Sequence, residues 1–68
     1  MYHDYSAAQQ VSAMYYDMVL ETDSNKAGYA HACKLARDLG GELQAQNTWA
    51  FPDGSAAELT TGGCWIQP

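Results

Sequence analysis

Ala7, Val11, Met14, Tyr15 and Met18 recur at spacings of three and four, which places them along one side of a helix. Ser6 followed three residues later by Gln9 has the form of a capping box, each side chain answering the other's backbone N–H. The first predicted element is therefore a helix from this cap to about Leu20 or Glu21. A competing pattern runs through its second half. Met14, Tyr16, Met18 and Leu20 also alternate, and Tyr15, Tyr16 and Val19 suit a strand over residues 12–21. The cap and the Ala, Gln and Met content favour the helix. Thr22 to Asn25 is a polar break in which Asp23 or Ser24 can cap a second helix. That helix is predicted over about Asn25 to Leu39, with Tyr29, Ala32, Leu35, Ala36 and Leu39 inward and Lys34 and Arg37 near its negative end. Gly40 and Gly41 supply its stop. Gly28 reads as a point of close helix packing.

From Glu42 the pattern changes. Leu43, Ala45, Thr48, Trp49 and Phe51 alternate incompletely before Pro52, Asp53, Gly54 and Ser55, a sequence suited to a tight turn. A return strand over about Ala56 to Thr61 follows. Gly62 and Gly63 then kink it or reverse it into a short strand through Cys64, Trp65 and Ile66. The predicted fold class is α+β, with two helices packed on a small antiparallel β-hairpin or three-stranded sheet. A β-α-β-β order is the alternative if residues 12–21 form a strand. Residues 1–68 make a single small domain.

Size changes how this core is weighed. A chain of 68 residues hides only about 60% of the surface its unfolded form exposes, so a partner or a second copy would add useful burial. Eight acidic residues against three basic ones, Lys26, Lys34 and Arg37, give a net charge of −5. That balance repels a phosphate backbone and argues against direct nucleic-acid binding. It suits a basic surface on another protein. No apolar run is long enough to span a bilayer and the first residues lack a secretory pattern, so the expected location is cytoplasmic, with no membrane partner.

Candidate chemistry is sparse. His3, His31, Cys33 and Cys64 are zinc-ligand types, but the spacing is poor: His31 and Cys33, two apart on a helix, point in different directions. Cys33 and Cys64 are expected as small, partly buried thiols in a reducing compartment. A cysteine nucleophile with His31 or His3 as base would need an orienting third group that no spacing here supplies. The glycines match neither a phosphate-cradling loop nor a dinucleotide fingerprint. No catalytic residue, metal or cofactor is assigned, and no enzyme activity is expected.

Aromatic residues make up 12% of the chain, more than so small a core obviously needs, and tyrosine and tryptophan are frequent interface anchors. They are Tyr2, Tyr5, Tyr15, Tyr16, Tyr29, Trp49, Phe51 and Trp65. Adjacent on a helix, Tyr15 and Tyr16 cannot both be central to one inward stripe. With the acidic residues Asp17, Glu21 and Asp23, and with Asp53 and Glu58, they form the expected partner-binding set. The expected function is a stoichiometric protein-binding inhibitor or accessory factor that blocks a basic or nucleic-acid-binding surface of a larger protein. In size and charge the chain resembles small acidic phage and mobile-element proteins that block host defence, of the anti-CRISPR kind. The resemblance is one of class and carries over no residue. The alternative is a self-associating structural or assembly protein, such as a homodimer formed through the sheet edge or the first helix.

Overall fold

Helix α1 (Ala7–Thr22) begins where the capping box predicts. The computed structural model describes residues 5–67, and in it the Ser6 hydroxyl accepts the Gln9 amide at 3.1 Å while the Gln9 side-chain oxygen accepts the Ser6 amide at 2.8 Å. A helix leaves its first amides without internal acceptors. The remaining two here are met from far along the chain, Ala7 by an Asp53 carboxylate oxygen at 2.8 Å and Ala8 by the Ser55 hydroxyl at 3.1 Å. The strand alternative for residues 12–21 is overturned, because the inward column Ala8, Val11, Tyr15 and Val19 has helical spacing and continues to the end of α1. The stripe is centred one position away from Met14 and Met18, so these two, expected inside, are only half-buried.

Asp23 reverses the chain in the left-handed region (φ 55°), its amide returning to the Val19 carbonyl at 2.8 Å. Ser24 then caps helix α2 (Asn25–Asp38) by accepting the Ala27 amide. The two helices touch at Gly28, where a Cβ would stand 2.7 Å from both the Tyr15 carbonyl oxygen and Val19 Cγ2. Gly40 (φ 80°) and Gly41 end α2 by donating to the carbonyls of Arg37 and Ala36, the paired bonds of a Schellman stop.

Four strands follow, β1 (Glu42–Leu43), β2 (Thr48–Ala50), β3 (Ala56–Thr60) and β4 (Gly63–Ile66), arranged in chain order and all antiparallel. The incompletely alternating segment from Glu42 to the turn, read as the first arm of a hairpin, therefore holds two strands. Gln46 (φ 60°) and Asn47 (φ 63°) both take the left-handed conformation, and the Thr48 amide returns to the Ala45 carbonyl. Consecutive left-handed residues form the turns whose twist suits a hairpin, a role usually marked by glycine or asparagine. The turn at residues 52–55 forms as predicted, with Gly54 at φ 91° and the amides of Gly54 and Phe51 bonded across it.

Both helices cover one face of the sheet. Trp49, Phe51, Ala57, Leu59 and Cys64 meet Ala8, Val11, Tyr15, Ala32 and Ala36 in the core, and the largest wholly enclosed side chains are Tyr15, Leu59 and Val11. Many of these residues are alanines, so the interior is thin. The Arg37 guanidinium lies 5.6 Å from the centre of the Trp49 ring, on the flank of α2. Among the described residues, no helix is long and apolar enough to cross a membrane.

Candidate functional site

Helical geometry separates the two adjacent tyrosines. Tyr15 points into the core and is 0% exposed, while Tyr16 is 46% exposed. The expectation that Tyr15 anchors a partner is corrected by this burial: its ring fills the interior and its hydroxyl donates to the Thr60 carbonyl at 2.6 Å. Burial, with the neighbouring Tyr16 and both cysteines, pushes the Tyr15 phenol above its ordinary range.

Tyr16, Asp17 and Glu21 emerge together on the outer side of α1, joined by Leu20, which is 84% exposed. Positions four apart are neighbours on a helix surface. Tyr16 and Leu20 thus form an apolar column beside an acidic column of Asp17 and Glu21. Asp23 lies exposed just beyond, at the cap of the same helix. A shallow groove of about 150 Å³ adjoins the stripe, lined by Gln10, Ala13, Met14, Asp17 and Leu35. It is too small to enclose an ordinary small-molecule ligand, whose sites run to roughly 300 Å³ and more.

Tyr16 also secures an edge. Thr60 pairs with Gly63 across a two-residue turn and the Gln67 amide bonds the Ala56 carbonyl, so alternation along the ladder leaves the backbone of Cys64 and Ile66 facing outward from β4. At Cys64 the Tyr16 hydroxyl takes both outward groups, donating to the carbonyl at 3.0 Å and accepting the amide at 3.2 Å. An incoming strand would need these same two bonds.

Asp53 and Glu58 do not join this patch. Asp53 holds the first turn of α1, and hydrogen bonds from the Ser55 hydroxyl and the Ala7 amide keep its carboxyl below the usual carboxylate range. Glu58 lies on the sheet face away from the helices, with Thr48 opposite it on one side and Trp65 on the other. Leu20 and Trp65 belong to the exposed set although the expected list omits them. The spacing from Tyr16 to Leu20 carried a signal for the first. Placing Trp65 beside Glu58 requires the strand register.

His31 is exposed while Cys33 is buried, so they do not converge, and His3 and Tyr2 lie outside the described residues. Cys33 and Cys64 are both free and buried. Burial pushes the Cys64 thiol up, partly offset by a hydrogen bond with the Ser12 side chain. Raised in this way, the thiol is a poor nucleophile at neutral pH. Among the described residues, no three His, Cys, Asp or Glu side chains are placed to hold a metal ion. No protein-family model, curated protein or solved structure matches the chain.

Proposed function

We propose that the chain is a stoichiometric protein-binding inhibitor or accessory factor that docks on a basic surface of a larger protein and competes there with nucleic acid. The observation that supports it most is the stripe on the last turns of α1, where Tyr16 and Leu20 lie beside Asp17 and Glu21. Apolar side chains supply contact area, and the carboxylates meet lysines or arginines in the places that phosphates would take. All three lysine and arginine residues of the chain sit on α2, which leaves this stripe without a competing positive charge of its own on α1. Small size and net acidity fit a phage- or mobile-element-encoded inhibitor of host defence, including the anti-CRISPR kind. Self-association through the β4 edge draws less support, since Tyr16 already occupies Cys64.

The test is capture of a partner by the tagged protein at low and high salt, repeated with Asp17→Lys/Glu21→Lys. The proposal expects a partner held at low salt, released at high salt, lost in the double variant and displaced by DNA or RNA. A homodimer alone at both salt concentrations would overturn it in favour of assembly.

A further inference from the structure

On the sheet face opposite the helices, the register sets Thr48, Glu58 and Trp65 in one row across β2, β3 and β4, and Glu42, Ala50 and Ala56 in the next. Trp65 does not stand upright there. A Cβ placed on Gly63 would meet three atoms of the indole at 3.2 to 3.7 Å. The ring therefore leans back over Gly63, a buried residue, and Trp65 remains 52% exposed. One side of the indole is backed by the sheet and the other is open.

Glu58 is the direct cross-strand partner of Trp65, and directly opposite side chains lie within about 5.5 Å of each other at Cβ. Every lysine and arginine of the chain is on α2, on the other side of the sheet. Among the described residues, the face thus combines an aromatic surface backed at Gly63, a carboxylate on the residue directly opposite it and a second carboxylate at Glu42, with no lysine or arginine on the sheet. A planar cation answers both features at once, since a guanidinium stacks on an indole and directs its N–H groups in plane toward a carboxylate. An ammonium can approach either group as a point charge but lacks the fork and the flat face. A nucleic-acid base could also stack on the ring, but Glu58 would repel its phosphate.

We infer that Trp65 and Glu58 form a seat for an arginine side chain on an exposed segment of a protein partner. The seat deepens the proposed function by naming the cationic group recognised, and it lies on a different face from the α1 stripe.

The experiment uses the ¹⁵N-labelled full chain, titrated separately with a short Arg-Gly repeat peptide, a Lys-Gly peptide of equal charge and a single-stranded oligonucleotide. The indole N–H of Trp65 is the reporter, and the buried Trp49 is the internal control. The arginine peptide is expected to move the Trp65 signal and to bind about tenfold more tightly than the lysine peptide. Trp65→Leu should abolish that preference. Glu58→Gln, a conservative change on an accessible face, should weaken arginine binding several-fold while leaving the remaining amide spectrum in place. Equal binding of the two peptides, or a Trp65 shift caused by the oligonucleotide, would overturn the seat. Asp17→Lys/Glu21→Lys separates the two ideas: arginine preference retained in that variant supports the seat even where partner capture through α1 fails.

Discussion

The two ends of α1 use the same kinds of side chain for opposite purposes. At the first turn, hydroxyls and a carboxylate from Ser6, Ser55 and Asp53 close on backbone amides. Over the last turns, Asp17, Leu20 and Glu21 are turned to solvent, and Tyr16 keeps one side of its ring open while its hydroxyl holds Cys64. A carboxylate alone therefore says little about a binding surface. What distinguishes Asp53 from Asp17 is that the helix N-terminus is an electropositive end with amides to satisfy, and Asp53 is folded against it.

Removing the side chain between these two ends should have the largest effect. Tyr15→Ala empties a buried aromatic site and is expected to cost about 3–5 kcal/mol, loosening both ends together in chemical denaturation. Little change in the midpoint would mean that the helix is held chiefly by its first turn. Asp53→Ala should cost less and act with a pH signature. The folded carboxyl is held below its ordinary value, so its contribution is complete above roughly pH 4 and is lost as pH falls through the lowered folded value. Urea midpoints followed into acid should converge for the wild type and the variant. A constant gap across that range would assign the effect to something other than ionisation.

The smallest change sharpens the open end. Tyr16→Phe removes one hydroxyl from two backbone bonds, costing about 1 kcal/mol, and uncovers Cys64 on the β4 edge. Sedimentation should then detect concentration-dependent association stronger than that of the wild type. A monomeric variant would show that the edge is protected by other means.

Local devices were legible in the chain because each reports on its own neighbours. Ser6 with Gln9, Ser24 before α2, Gly40 with Gly41, and the turn at residues 52–55 each form with partners a few residues away. The reversal at Gln46 and Asn47 was only half marked, since asparagine accepts a left-handed backbone but glutamine does not advertise one. Nor could spacing show that Asp53 would be claimed by Ala7 or the Tyr16 hydroxyl by Cys64, both of which depend on how helix and sheet are stacked. The acidic and apolar columns at positions 16 to 21 were partly visible, and only the omission of Leu20 and the inclusion of Tyr15 hid their outline.

The side-chain ties between α1 and the sheet join residues 45 to 48 positions apart, whereas each strand pairs with the next in sequence. Hairpins with such short loops close in microseconds, and long-range closure carries the greater entropic cost. As these elements emerge from a ribosome, α1 comes first but finds no acceptor for Ala7 and no strand for Tyr16 until the meander exists. The earliest helix has α2 to pack against as soon as that helix forms, but its ties to the meander are the last to close.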